Sequence, residues 1–177
     1  MNGSHGQAKG QAMAEFAIVA PIFFLLVFGV LQLGLLFGAQ NGLVDGVRDT
    51  ARKAATYRVD EETFADSTVF SSICSTLGTE LQAELRAKMP AFNPLGPPLR
   101  YHPTIQYEWQ QNPTTTEYFL VADVTVVYDH PLFIPLVGNI INPSGNGSIT
   151  LQASEQMRVE NPSLVQPAST APHPCTS

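Results

Sequence analysis

The dominant pattern in the chain is a long apolar stretch near its N-terminus, where no charged residue occurs from Phe16 to Val44. A helix needs about 20 apolar residues to cross the hydrocarbon core of a bilayer, so this stretch predicts a transmembrane helix over about residues 16 to 40. A secretory signal peptide is the alternative, but its apolar region is shorter, about 7 to 15 residues. One carboxylate, Glu15, precedes the stretch. Because a charge at the edge of a membrane span is costly to bury, Glu15 is a functional candidate.

The helix is expected to continue beyond the membrane, as one segment over residues 11 to 58. Only Pro21 argues against this, because its ring clashes with the preceding turn and its missing N–H predicts a kink. Past the apolar stretch, Asp49 lies three and four residues before Arg52 and Lys53. That spacing favours ion pairs along a solvent-facing helix.

The remaining polar sequence, residues 59 to 160, predicts one small α+β domain. Asp60 marks a helix break or a new helix start. Apolar residues at three- and four-residue spacing then predict a second, amphipathic helix over about residues 63 to 89. Thr79 and Gln82 form a candidate capping box at an interruption of that helix.

Three strands are predicted, over residues 99 to 109, 118 to 128 and 148 to 160, the first and third from the two-residue alternation of apolar and polar positions. Pro103 restricts the first to an edge strand or a bulge. The second is apolar on both faces and is predicted to be central. We expect three antiparallel strands whose apolar face is covered by the second helix and the water-exposed half of the long helix. Residues 161 to 177 are rich in Pro, Ser and Thr, which predicts a disordered tail.

Four glycines recur every four residues along one slowly turning helix face: Gly34, Gly38, Gly42 and Gly46. Each interior glycine costs about 0.5 to 1 kcal/mol of helix stability relative to alanine. The stripe therefore predicts close packing against another helix, where small residues let two backbones approach. The alternative is that small residues are simply common in membrane helices.

The chain has two cysteines, Cys74 and Cys175. An even pair outside the cytoplasm can form one disulfide, which here would tie the C-terminal tail to the second helix. Cys74 also lies on the apolar stripe of that helix, where a buried free cysteine is ordinary. We favour the bridge, because Cys175 has no packing role in a solvated tail.

Charge and motif content exclude several function classes. The net charge of −6 argues against a nucleic-acid partner, since phosphate binding needs a basic face. The four histidines are scattered without the spacing of a metal site, and neither cysteine has a His or Asp partner that the sequence can place. We therefore predict no enzymatic activity, no metal and no cofactor.

An apolar run in a proline-bounded loop is a further candidate, and its central residues are Leu132, Phe133 and Ile134. It either packs under the sheet, which we favour, or forms a docking loop for a neighbouring protein or the membrane surface. The sequence leaves both alternatives open.

Two separated blocks resemble a known family. The first consists of Glu15–Pro21, Gln32-Leu33-Gly34 and Arg48-Asp49-Thr50-Ala51-Arg52. The second consists of Val124–Tyr128, Pro131–Pro135 and Leu151–Glu160. In order and separation they are similar to the TadE-like proteins of tight-adherence (Flp/Tad) pili. The rest of the polar domain and the tail show no such similarity.

The same resemblance implies processing. Gly10 followed by Gln11 resembles the site of type IV prepilins, in which a prepilin peptidase cuts after the glycine. Residues 1 to 10, short and glycine-rich, would then be a leader peptide that does not fold. Glu15 would become the fifth residue, and the family implies that it pairs with the free amine of Gln11. Such a pair favours register between subunits, because a misplaced charge stays unpaired in low dielectric. The alternative is that Glu15 is solvated at the headgroup boundary.

The function implied is that of a minor pilin or pilin-like assembly component acting by helix packing. Its expected partners are membrane lipid, prepilin peptidase, other pilins and the pilus assembly platform. The alternative is a signal-anchored extracytoplasmic binding or sensor domain that stays monomeric. A simple anchor of that kind needs neither Glu15 nor a glycine stripe.

We expect one pass through the cytoplasmic membrane, with the N-terminus cytoplasmic, the domain outside and incorporation into a surface pilus. The basic cluster from Arg48 to Arg58 favours the opposite orientation under the positive-inside rule. Three features weaken that argument: Asp45 and Asp49 lie among those cations, Lys9 flanks the other end, and a long translocated domain reduces the effect of loop charges.

Overall fold

The computed structural model describes residues 5–89, 101–133, 147–160 and 167–175. In chain order its elements are α1 (His5–Thr56), α2 (Glu61–Ala65), α3 (Ser67–Lys88), β1 (Tyr101–Gln111), β2 (Tyr118–Pro131), β3 (Ser148–Arg158) and β4 (His173–Pro174). The strands form one antiparallel four-stranded sheet in the order β3-β2-β1-β4. The predicted α+β class is confirmed, and the sheet has one strand more than expected.

Helix α1 is a single segment of 52 residues that continues through Pro21. The prediction of one long helix is therefore confirmed. Its start at His5 differs from the expectation of an unfolded leader, because residues 5 to 10 are already helical. Gln7, Ala8 and Lys9 are good helix formers, which explains why the helix extends past its apolar part.

The helix break at Asp60 is confirmed, since α1 ends at Thr56 and a capping box at Asp60 starts α2. The Asp60 carboxylate accepts a hydrogen bond from the Thr63 backbone N–H at 2.9 Å, while the Thr63 hydroxyl accepts one from the Asp60 N–H at 3.4 Å. Helix α3 then continues without interruption, so the predicted capping box of Thr79 with Gln82 is wrong. The Thr79 hydroxyl instead donates to the Ser75 carbonyl at 2.9 Å, one turn back along the helix.

Strands β1 and β2 pair antiparallel over residues 101–111 and 118–128, and β2 is central as predicted. β1 lies between β2 and β4, so the alternative of an edge strand is wrong, but the described pairing with β4 is at Gln106 and Tyr107 and does not include Pro103. Two residues after Pro103, the Ile105 carbonyl accepts from the Cys175 N–H at 2.8 Å, on the side away from β2. In a strand, the backbone groups of residues two apart point to the same side. A backbone N–H at residue 103 would therefore point away from β2, as the Ile105 carbonyl does, so the proline removes no hydrogen bond to β2.

The C-terminal tail is partly ordered. His173–Pro174 forms β4, which pairs antiparallel with β1. The His173 ring stacks on Phe64 with 3.9 Å between ring centroids. The prediction of a disordered tail is therefore wrong for the described residues 167 to 175. So short a strand cannot be read from composition, because it is held by contacts with distant residues: the pairing with β1, the ring of Phe64 and the bond between Cys175 and Cys74.

Contacts within the chain divide it into two compact units, Met1–Leu36 with Pro131–Ile149 and Phe37–His130 with Thr150–Ser177. The second unit contains the hydrophobic core, to which α1, α3 and the three long strands contribute. Tyr107 is fully buried there, and its hydroxyl donates to the Ala54 carbonyl at 3.2 Å. This bond ties β1 to the last turn of α1. Burial also raises the pKa of Tyr107 well above its usual range, so its hydroxyl remains a donor.

Candidate functional site

The N-terminal part of α1 presents a long apolar surface. By length and composition, α1 is the one helix among the described residues that can cross a membrane. This suggests a single-pass membrane anchor. Large apolar side chains are exposed all round it, as expected for a helix surrounded by lipid or by other helices: Met13, Phe16, Ile18, Val19, Ile22, Phe23, Phe24, Leu25, Leu26, Phe28, Val30, Leu31, Leu33 and Phe37.

The residues predicted for processing and assembly lie within two exposed turns at the start of this surface. Gly10, Gln11 and Glu15 are all exposed. The Gln11 Nε2 donates to the Glu15 Oε1 at 3.0 Å, which is the four-residue contact of a helix surface. Within the described part of the chain, no cation lies at ion-pair distance from Glu15. Its carboxylate is therefore oriented by a neutral donor and leaves room for a charged partner.

The first glycine of the stripe, Gly34, has no close neighbour among the described residues. An added Cβ on Gly34 would meet nothing within 4 Å. Gly38, one turn later, is half-buried. The surroundings of Gly34 and Gly38 therefore do not identify a packing partner for the stripe in the apolar part of α1.

The other two glycines of the stripe pack within the chain. A Cβ on Gly42 would lie 2.5 Å from the Lys88 carbonyl oxygen, and one on Gly46 would lie 2.9 Å from Leu85 Cδ2. Both glycines therefore allow α1 to cross close to the end of α3. At these two positions the close neighbour of the stripe is this chain's own helix α3.

Ion pairs join the same two helices. Asp49 forms a salt bridge with Lys88, and Lys53 Nζ lies 3.2 Å from Glu84 and 3.8 Å from Glu80. The hydrogen bond from Lys88 lowers the pKa of the Asp49 carboxyl, and the bond to Glu84 raises the pKa of Lys53. The predicted pairs of Asp49 with cations of its own helix are wrong, because Lys88 of α3 is its ion-pair partner. The water-exposed end of α1 is thus held by charges on α3.

The predicted disulfide is present in the structure. Cys74 of α3 is bonded to Cys175 across a sequence separation of 101, with the two Cα atoms 5.3 Å apart. The bridge follows directly after β4 and secures the tail against α3 and β1. It also borders a cavity of about 460 Å³, whose lining combines hydroxyl and apolar groups: Ser71, Cys74, Ser75, Gly78, Thr79, Gln82, Tyr101, Pro103, Ile105 and Cys175. No group of three or more His, Cys, Asp or Glu side chains suited to a metal occurs among residues 5–89, 101–133, 147–160 and 167–175.

The described start of the apolar loop lies against α1, in the first unit. The Phe133 N–H donates to the Gln32 Oε1 at 3.1 Å, and the Leu132 N–H donates to the Gly147 carbonyl at 2.7 Å. Ile134 lies outside the described residues. No contact or role of its own is predicted for Gln32 from the sequence. The available signal was its place as the first polar residue after Glu15 in the apolar stretch.

Comparison with known proteins places the N-terminal part of the chain in similarity to a family. The model of the family described as TadE-like protein matches residues 10–52. No curated protein matches the chain, and no solved structure does. The match confirms the first block of the predicted resemblance and supports a pilin-like protein associated with the tight-adherence pilus. The second block, from Val124 to Glu160, lies outside the matched residues.

Proposed function

We propose that this chain, whose residues 10–52 match the TadE-like family, is a minor pilin or pilin-like assembly component of a tight-adherence pilus. It would act without enzymatic chemistry, by packing α1 against the helices of other pilins. The observation that carries the proposal is the exposed apolar surface of α1 between Met13 and Phe37. Such a surface is suited to lipid before assembly and to neighbouring helices afterwards.

Processing between Gly10 and Gln11 by prepilin peptidase is part of this proposal. Cleavage would create a free amine at Gln11, one helical turn from the Glu15 carboxylate. The hydrogen bond between these two side chains already places them on the same turn. In a filament, the amine of one subunit and Glu15 of another would pair, and correct register would be favoured because an unpaired charge in low dielectric is costly.

The proposed orientation places the N-terminus in the cytoplasm and the α+β domain outside. The bridge between Cys74 and Cys175 supports it, because disulfides form and persist in oxidising compartments. Other pilins and the assembly platform would then meet the chain through α1 within or beside the membrane. Incorporation into the surface filament is the further consequence.

A monomeric membrane-anchored domain is the second candidate. The observation that favours it is the position of Gly42 and Gly46, which are occupied by contacts with the chain's own α3. Half of the glycine stripe thus needs no second protein. For this candidate, Glu15 would have no assembly role.

The test replaces Glu15 with Gln in cells that build the pilus. Glu15→Gln should still insert and be processed, because removing a charge makes the span easier to bury. Piliation should fall about tenfold or more, since breaking a buried ion pair costs about 3 to 5 kcal/mol. The matched control is Glu62→Gln, which removes the same charge from an exposed position on α2 and should leave piliation unchanged.

Two measurements complete the test. Intact mass of the membrane-extracted protein should show loss of residues 1 to 10 in both variants. Membrane abundance, compared by immunoblot, separates failed assembly from failed expression. Normal piliation with Glu15→Gln at normal abundance, or an intact leader in cells that contain the peptidase, would reject the pilin proposal.

A further inference from the structure

The first unit contains a buried polar side chain within its apolar surface. Gln32 is only 1% exposed, although its helix neighbours Leu31 and Leu33 are 57% and 43% exposed. Burying an amide is costly unless it forms hydrogen bonds. The Gln32 Oε1 accepts from the backbone N–H of Phe133. The first residues after β2 are therefore anchored to Gln32 through the Phe133 N–H.

The length of the helix sets the depth of this contact. About 20 helical residues, each rising 1.5 Å, cross a hydrocarbon core of about 30 Å. With Glu15 at one boundary and about 20 residues across the core, the other boundary falls near Leu35, a few residues before the end of the span of about 16 to 40 that the apolar stretch predicts. Gln32 then lies about 5 Å inside that boundary, roughly one helical turn. Phe133, bonded to Gln32, is placed at the same depth.

The two described apolar residues of the loop differ in exposure. Leu132 is 9% exposed, whereas Phe133 is 36% exposed. The bond from the Leu132 N–H to Gly147 holds the backbone at this point. Leu132 is therefore buried in the protein while Phe133 remains partly open, at the level of the exposed Leu31 and Leu33. Apolar aromatic side chains at this depth gain free energy by entering the boundary between headgroups and acyl chains.

We infer that Phe133 is a second membrane contact, which inserts into the headgroup–acyl boundary beside α1 and is held there by Gln32. The partner is the phospholipid bilayer. The contact limits how far α1 can slide along the membrane normal, because movement in either direction would take Phe133 out of the boundary. This inference rests on the proposed membrane anchoring and is independent of pilus assembly.

The experiment measures depth with tryptophan in the full chain reconstituted into phosphatidylcholine vesicles. Trp109→Phe removes the single native tryptophan, and Phe133→Trp adds the probe. Lipids brominated near the headgroup or near the bilayer centre serve as quenchers, and iodide serves as the aqueous quencher. Leu31→Trp is the lipid-facing control. Val69→Trp is the water-facing control, because Val69 is 45% exposed on α3.

Emission of the Phe133→Trp probe should fall about twofold or more with bromine near the headgroup, and less with bromine at the bilayer centre. Adding Gln32→Leu removes the acceptor for the residue 133 N–H. Lipid quenching of the probe should then fall towards the Val69→Trp value, while Leu31→Trp quenching stays unchanged. This comparison separates a contact held by Gln32 from general closeness to the membrane.

Several results would overturn the inference. Iodide quenching of the Phe133→Trp probe equal to that of Val69→Trp would place the residue in water. Protection from both quenchers would place it against protein, either its own chain or a second copy. Absence of lipid quenching in Leu31→Trp would reject the membrane anchor itself, and the proposed function with it. Lipid quenching of Leu31→Trp without quenching of the probe would reject only the second contact.

Discussion

The backbone of Lys88 occupies the space that a side chain on Gly42 would need, since its carbonyl oxygen lies 2.5 Å from the position of a Cβ there. The obstacle is backbone at the end of α3, which cannot move aside like the tip of a flexible side chain. Met89 Cα, at 3.1 Å, closes the same space. Glycine at residue 42 is therefore required by the helix crossing within the chain.

Gly42→Ala should destabilise the domain. Alanine raises helix propensity by about 1 kcal/mol, but forcing the two helices apart costs about 1 to 3 kcal/mol, as overpacking does in cores. Thermal unfolding of the detergent-solubilised chain, followed by near-ultraviolet circular dichroism, measures the change. Gly78→Ala is the matched control, because an added Cβ there meets nothing within 4 Å, and it should stabilise by up to about 1 kcal/mol. Equal gains in both variants would show that the crossing tolerates a methyl group.

Gly34→Leu tests the part of the stripe that faces away from the chain. An added Cβ at this position meets no atom within 4 Å, so folding and membrane abundance should not change. If neighbouring helices approach this face, leucine will hold the backbones apart and piliation will fall sharply. Gly29→Leu is the control, since Gly29 also has open space and lies about 140° away around the helix. Equal piliation in the two variants would show that Gly34 is not a packing position.

The disulfide should hold β4 in place. Cys175→Ser should lower the free energy of unfolding, by at most about 4.7 kcal/mol in the chain-entropy estimate for a loop of about 100 residues. The amide of residue 175, now bonded to the Ile105 carbonyl, should also exchange with solvent deuterium faster. Cys74→Ser should give the same losses, and the double variant should add nothing, because all three remove one bond. Full alkylation of both thiols in exported protein without reductant would contradict the bridge.

Stability should fall in mild acid. Burial lowers the pKa of His130 and of His173 below the usual value of 6.5. The unfolded chain therefore binds protons more readily than the folded chain. The stabilising effect of the neutral rings is complete above about pH 6.5, decreases as the pH falls through that value, and levels off below the folded pKa values.

His173→Phe keeps a ring that can stack on Phe64 and removes one titrating group. It should reduce the decrease in unfolding temperature between about pH 7.5 and pH 5, because the burial that lowers the pKa of His173 then no longer opposes a protonation. An unchanged pH dependence in His173→Phe would show that protonation of His173 does not contribute to the loss of stability in acid.

Several features follow from the sequence by itself, because they depend on residues that are near one another in the chain. The absence of charge from Phe16 to Val44 predicts the apolar helix. Two-residue alternation predicts β1 and β3, and an apolar run on both faces predicts β2. Asp60 marks the helix start after α1. The residues of the first block likewise carry the similarity that the TadE-like family confirms over residues 10–52. Even the disulfide could be proposed, since the chain offers only two cysteines.

Only the tertiary structure decided which distant residues meet. Glycine spacing predicted close packing but could not identify the partner. Gly42 and Gly46 lie against α3, whereas an added Cβ on Gly34 would meet nothing within 4 Å. In the same way, Asp49 bonds to Lys88 across the helix crossing, and the tail supplies a fourth strand. Phe133 meets Gln32 although about a hundred residues lie between them. Local periodicity gives the direction of each side chain about its own helix or strand, whereas the partner it meets depends on how those elements cross, and that is set by the packing of the whole core.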